Sequence, residues 1–457
     1  MQLNGKNTSV AVHALLFLSF LYFVYLIVSV PEVQPIWNFF PDQNDYLRQS
    51  QMSLLSKSFY MPEPAQWFTP RAFTMSLMYK LAGSDPVNMF YFQKILYCFA
   101  VMLFVMAVSL LLEHPVLKLL AGVSLLFFFT WWAIVGWSNN ILSESVSFSW
   151  FLIWAAFIVF YVKTLHQWLF VLLFPVTLLF SFTRDTWPYL LLLFHGMLML
   201  LFVIKKQNVR NSVLLFVFTI LVLVFQSQSV KAGQRDKLPV FNVIAGRIAQ
   251  SDEHLKWFEE RGMPQAEQLK ADFRGIKVDT DQGKAIIYKR YVDSTYIPLF
   301  DWVVREGKST YQKFLLTHFR YAILNDQTPE QLNRVFAFNT FAYYQRPYGF
   351  FHNANNVFPL FNVYVGLLMV LVCVRVWQLT RKDVYLLPML FSLMMVANAY
   401  LSYNADTMEV ERHMYLVPVA VELLSMLSLF MIIQYLISGG IKTIFASGKN
   451  SRKAQKT

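Results

Sequence analysis

Residues 168–204 read WLFVLLFPVTLLFSFTRDTWPYLLLLFHGMLMLLFVI. The block is apolar at both ends and broken once, by Thr183-Arg184-Asp185-Thr186-Trp187-Pro188. A single helix across it would be far too long for a hydrocarbon core of about 30 Å. It would also leave Arg184 and Asp185 at mid-length, where an ion in lipid is expensive. A hairpin of two membrane helices with the charged pair at its tip satisfies both constraints.

Apolar runs of similar length recur on either side of this hairpin. They cover 10–30, 87–112, 116–135, 146–162, 212–225, 358–376, 385–403 and 413–437, beside the hairpin arms 168–182 and 189–204. The pattern predicts an all-α integral membrane protein with about ten transmembrane helices. Composition agrees: 56% of the 457 residues are hydrophobic and 14% charged, where a soluble chain carries about a quarter charged. Cys98 and Cys373 lie inside apolar runs, so they read as buried thiols and not as a disulfide or zinc framework. The N-terminus offers Lys6 and then a long apolar stretch with no small-residue cleavage site, which predicts a retained first helix.

Orientation follows from the lysines and arginines of alternate short loops. Lys6, Lys118, Lys163, Lys205, Lys206, Arg210, Arg375, Arg381 and Lys382 fall on one side, with the basic tail 439–457. The other side carries Glu144, Asp185, Asp406, Glu409 and Glu411. Both termini are therefore expected in the cytoplasm, and the net charge of +12 reads as a topology signal and not as a nucleic-acid footprint. The expected organisation is an N-terminal membrane module, 1–225, with an extracytoplasmic loop at 31–86. An extracytoplasmic insertion follows at 226–357, and then three membrane helices over 358–438. Leu255, Phe258 and Met263 among charges give the insertion an amphipathic, mostly helical reading.

The polar residues that carry chemistry sit where the apolar runs end on the acidic side. After the first run comes Pro41-Asp42-Gln43-Asn44-Asp45-Tyr46. If helical, it places Asp42, Asp45 and Tyr46 on one face. A carboxylate partly desolvated at a membrane surface makes a usable general base, although Asp before an apolar helix is also an ordinary start signal. Thr69-Pro70-Arg71, Ser143-Glu144, Arg184-Asp185 and Glu411-Arg412-His413 follow along the chain. Any one arginine alone is an interfacial anchor or half of a surface ion pair. Three on one face, beside carboxylates, suit bidentate phosphate binding and suggest a phosphorylated lipid substrate. His195 reads as a hydrogen-bonded helix residue, and the many Trp and Phe residues as belt and packing.

In this order the motifs resemble the GT-C superfamily of polytopic glycosyltransferases, in particular bacterial protein O-mannosyltransferases and lipid A aminoarabinose transferases. Asp42 with Tyr46 four residues on matches the family's early pair. Arg71, Gly83 and Gln93 match its Arg, Gly and helix 2 Gln. Ser143-Glu144, Arg184, and Arg412-His413 with Pro418 match the later motifs, whereas Ala72 and Phe73 replace the usual proline-rich run. The resemblance implies a GT-C-like fold in a cell inner membrane and a polyprenyl-phosphate-linked sugar donor. The acceptor would be a glycolipid, glycan or protein. It further implies Asp42 as base in an inverting displacement and Arg184, Arg412 and Arg71 on the donor phosphate. Asp45, Tyr46, Glu144, Gln93 and His413 would orient substrate. Asp45 and Glu144 could alternatively hold a divalent ion, Mg or Mn. No Gly-rich phosphate loop or nucleotide-binding βαβ unit occurs in the chain.

Two rivals remain at this level. A lipid-linked O-antigen ligase or polymerase would place its catalytic arginines in a late large loop, which 226–357 permits. A secondary transporter would place ionisable groups at the midplane of repeated halves, and no repeat is evident.

Overall fold

The computed structural model describes residues 5–29, 42–64, 69–139, 141–278, 280–324, 363–406 and 416–440. Among them the regular elements are all helical, with no strand. Ten apolar helices form the bundle: α1 (Gly5–Ser29), α2 (Pro86–Leu111), α3 (Pro115–Phe129), α4 (Ser143–Thr164) and α5 (Gln167–Ser181). After these come α6 (Trp187–Ile204), α7 (Val209–Ala232), α8 (Val363–Thr380), α9 (Leu387–Ala405) and α10 (Leu416–Tyr435). Among the described residues seven helices are long and apolar enough to cross a membrane, and three apolar helices are shorter.

The short ones have local causes. Helices α3 and α5 have 15 residues each, about 22 Å at 1.5 Å per residue. Chain direction after α3 changes at Thr130, whose hydroxyl donates to the Phe127 carbonyl. The turns that follow, Trp132–Val135 and Gly136–Asn139, bury Ile134, Val135 and Trp137. Helix α5 contains Pro175, which removes a ladder hydrogen bond, and stops before the Arg184-Asp185 turn. The hairpin expected from 168–204 is present, with its charges between α5 and α6.

Helix α4 is the hub, with 83% of its most apolar window buried, whereas α1 lies on the perimeter with 17%. Aromatic packing fills the centre: Trp154 meets Phe194 edge-on at 4.8 Å and Phe391 at 5.7 Å. His195 Nδ1 lies 2.8 Å from the Thr219 hydroxyl, which ties α6 to α7 and gives the histidine its partner. Leu15, Phe17, Leu18 and Leu21 on α1 and Ile95 and Phe99 on α2 face outward, all about half exposed or more. Apolar surface on this scale needs lipid around it.

The helices alternate in direction, so their ends collect into two groups. At one end the Lys205 ammonium pairs with the Asp383 carboxylate and donates to the Arg381 carbonyl. There Lys382 pairs with Glu113 at 3.3 Å, and Gln434 Oε1 accepts from the backbone N–H groups of Glu113 and His114. These are the basic loops of the charge reading. The opposite end carries Asp42, Glu144, Arg184, Asp185 and Asp406.

Helix α7 does not stop at 225, where its apolar run ends. It continues to Ala232, and the polar residues Gln226 and Ser229 of the added turns are buried. Beyond it, short helices from Lys237–Gly246 to Phe319–Leu324 form a body with its own core. Phe241, Phe258, Leu269, Phe273, Tyr296 and Phe314 have no exposed surface. Leu255, Phe258 and Met263 all point into that core, as their spacing requires.

Candidate functional site

The helix Asp42–Gln51 supplies the first wall. Gln43, Asp45, Tyr46, Gln49 and Ser50 are buried while Asn44 and Arg48 face out, so Asp42, Asp45, Tyr46 and Gln49 share the inward face. Asp42 opens this helix, where a negative charge also meets the positive end of the helix dipole. Its far end is closed by the Lys80 ammonium, which donates to the carbonyls of Ser50 and Met52 at 2.9 Å each.

Gln49 holds the second component. Its amide accepts from the Arg71 N–H at 3.0 Å and donates to the Arg71 carbonyl at 3.1 Å and the Phe59 carbonyl at 2.8 Å. An irregular strand of chain is thereby read like a paired strand edge. Just beyond, the Thr74 hydroxyl donates to Leu179 O at 2.9 Å and its N–H to Phe182 O at 3.1 Å. The helix Phe73–Leu81 is pinned to the end of α5 in this way.

Fixed so, Arg71 Nη2 donates to Asp42 Oδ1 at 2.7 Å and to Asp45 Oδ2 at 3.1 Å. The guanidinium carbon stands 5.9 Å from the centre of the Tyr46 ring. Burial alone would lower the pKa of Arg71, but Asp42, Tyr46 and Asp45 outweigh it and raise it, so the guanidinium stays charged. Burial raises the pKa of Asp45 above the ordinary 3.8 even though Arg71 and the Thr69 N–H hold it down. Tyr46 is pushed up to about 12, chiefly by burial, although a hydrogen bond with Ser143 holds it down.

The opposite wall is the start of α4 and the α5–α6 turn. Glu144, with no exposed surface, lies 3.4 Å from Arg184 Nη2 and accepts from Ser143 Oγ at 3.4 Å. The turn is held by Ser147, whose hydroxyl oxygen accepts from Trp187 Nε1 at 2.7 Å and Thr183 Oγ1 at 3.1 Å. Asp185 is gripped by Arg235 through Nε and Nη2, both at 3.0 Å, and also by the Gln226 amide. Arg235 in turn donates to Ser229. The third wall is the end of α9, where Asp406 accepts from Asn242 Nδ2 at 3.0 Å. Arg247 Nη2 donates to the Tyr403 carbonyl there at 2.7 Å.

Between the walls is a cleft of about 230 Å³ lined by Asp42, Tyr46, Arg71, Arg184, Asp185, Arg235 and Asp406 among others. Of the residues singled out from sequence, Asp42, Tyr46, Arg71 and Arg184 line it. Asp45 and Glu144 stand behind, each bonded to one of its arginines. Gln93 is fully buried in α2 and does not line the cleft. Arg412 and His413 lie outside the described residues. Arg235 and its companion Asn242 carry no local sequence signal, since their partners lie 50 and 164 residues away.

Fold and site together define a polytopic helical membrane protein with an acid–arginine cleft at one end of the bundle. By sequence, no protein family and no curated protein matches the chain. Among solved structures the chain is similar to an archaeal oligosaccharyltransferase from Archaeoglobus fulgidus, determined with an inhibitory peptide and a dolichol-phosphate. The two share 12% identity at a TM-score of 0.47, over 94% of this chain and 52% of the other. The chain thus spans about half the length of that protein.

Proposed function

We propose that the chain is an inverting membrane glycosyltransferase of the GT-C kind, moving a sugar from a polyprenyl-phosphate donor to an acceptor hydroxyl in this cleft. The observation that carries the proposal is the convergence of Asp42, Arg71 and Arg184 on one cleft at the ends of apolar helices. A lipid-borne phosphate rides at that level, and its reacting carbon projects into water.

Asp42 accepts the acceptor's hydroxyl proton as the oxygen attacks the anomeric carbon. The bond from that carbon to the phosphate oxygen breaks, and the phosphate leaves with the electron pair. Arg71 already serves two carboxylates, so its role is to hold Asp42 ionised and aimed. Arg184 lines the cleft beside Glu144 at 3.4 Å and is the guanidinium assigned to the departing phosphate. The cleft would face away from the cytoplasm, as the basic loops at the other end favour.

The test is transfer from a panel of polyprenyl-phosphate sugars by the purified chain. Asp42→Asn is expected to lose about two to four powers of ten in turnover with little change in donor binding. Equal turnover by wild type and Asp42→Asn would remove Asp42 from the base role. No transfer from any lipid-phosphate sugar would refute the donor class.

A further inference from the structure

At the end of the bundle opposite the cleft lies a second cavity of about 210 Å³, lined by Leu111, Glu113, Lys163, Lys382, Tyr385 and Tyr435 among others. It opens where α2, α4 and α8 end, beside the last turns of α10 and the start of the α9 segment, at the depth where apolar helices give way to head groups. Its polar groups are unequally provided for. Tyr435 is only 7% exposed, lines the cavity, and has a hydroxyl with no hydrogen-bond partner. A buried hydroxyl left in that state calls for one. Lys382 pairs with Glu113, whereas Lys163 in the last turn of α4 has no acidic partner among the described residues.

The charges decide what fits. Lys163 and a buried hydroxyl donor favour an anion, and basic pockets between helices at a membrane face suit lipid phosphates. Three helices, however, turn their C-terminal, negative dipole ends toward this level, and Glu113 adds a carboxylate, both of which favour a cation. A head group carrying a phosphate and a primary ammonium a few bonds apart meets both demands. We infer that this cavity is a binding site for the head group of an amine-bearing zwitterionic phospholipid. Its phosphate lies on Lys163 and the Tyr435 hydroxyl, and its ammonium takes the place of the Lys382 ammonium at Glu113, at the negative ends of the three helices. This reading is independent of the cleft's chemistry.

The experiment is lipid retention by the full chain in detergent, read by native mass spectrometry. Phosphatidylethanolamine, phosphatidylcholine, phosphatidylglycerol and phosphate-free diacylglycerol of matched acyl chains are compared. Phosphatidylethanolamine is expected to bind best. Lys163→Gln and the shape-preserving Tyr435→Phe should each weaken it about tenfold, the worth of one hydrogen bond to a charged group. Glu113→Gln should weaken phosphatidylethanolamine and spare phosphatidylglycerol. Retention of diacylglycerol equal to phosphatidylethanolamine, or no effect of either Lys163→Gln or Tyr435→Phe, overturns the site. Phosphatidylglycerol or phosphatidylcholine bound as well as phosphatidylethanolamine overturns the amine assignment. Free phosphoethanolamine competing at equal concentration overturns a lipid as the occupant.

Discussion

Arg71 reaches two carboxylates with one terminal nitrogen, and its Nε is buried without a hydrogen-bond partner. Its removal therefore has a pH signature. In Arg71→Met the two largest influences holding down the pKa of Asp45 disappear, so that pKa climbs further above 3.8. A carboxyl whose pKa is raised in the fold contributes its stability below the ordinary value and loses it as pH rises through the raised one. The variant should melt near wild type in acid and fall behind progressively toward neutrality. The deficit there should be about 3 kcal/mol, the lower end for breaking a buried ion pair. A deficit that is constant with pH would show that Arg71 acts on packing and not on Asp45. The pair of acids was legible in the sequence because Asp42, Asp45 and Tyr46 repeat at helical spacing. The clamp that makes Arg71 their partner was not, because Gln49 recognises the backbone of residue 71 and backbone groups leave no mark in a sequence.

At the scale of elements, α7 shows why a hydropathy reading ends a helix early. Its apolar run stops at Phe225, but Gln226 and Ser229 find polar partners in Asp185 and the Tyr60 carbonyl, and the helix continues to Ala232. A membrane helix that enters a polar site changes composition before it changes conformation. Its C-cap, Gly233, presses on Pro70: a Cβ added there would lie 2.9 Å from the Pro70 Cβ and 3.2 Å from its Cγ. A proline ring cannot rotate aside, so Gly233→Ala is expected to lose about 1–3 kcal/mol and to displace Thr69-Pro70-Arg71. Thermal melting checks the first part; an unchanged melting temperature would mean that the contact yields freely. By contrast the α5–α6 hairpin followed from sequence alone, since two charges in a long apolar block admit few placements.

On the scale of the whole molecule, the bundle and the insertion meet through Asp185 and Arg235, and the two sides of that bond are not equivalent. The Arg235 side chain is 4% exposed and that of Asp185 is 38% exposed. Asp185→Ala strands a buried guanidinium and is expected to cost about 3–5 kcal/mol. Arg235→Met leaves a carboxylate that water can reach, and should cost no more than about 1 kcal/mol. Melting of both variants in detergent settles the order; equal losses would contradict the asymmetric burial. Chain order, helix class and the segregation of basic loops were all readable from hydropathy and charge. The docking of the insertion was not, because it depends on partners such as Asn242 and Asp406 that only folding brings together.

The insertion grips the cleft on two sides at once: Arg235 holds Asp185 on one wall, and Asn242 holds Asp406 on the other. Arg235 lies just before the helix Lys237–Gly246 and Asn242 within it, and the helix is rooted in the insertion's core through Phe241 and Ile244. Together they work as a caliper with its jaws set by a folded body. The spacing between those two walls is therefore set by how the insertion folds, so a change inside its core at Phe241 would be felt at Asp185 and Asp406, on opposite sides of the cleft.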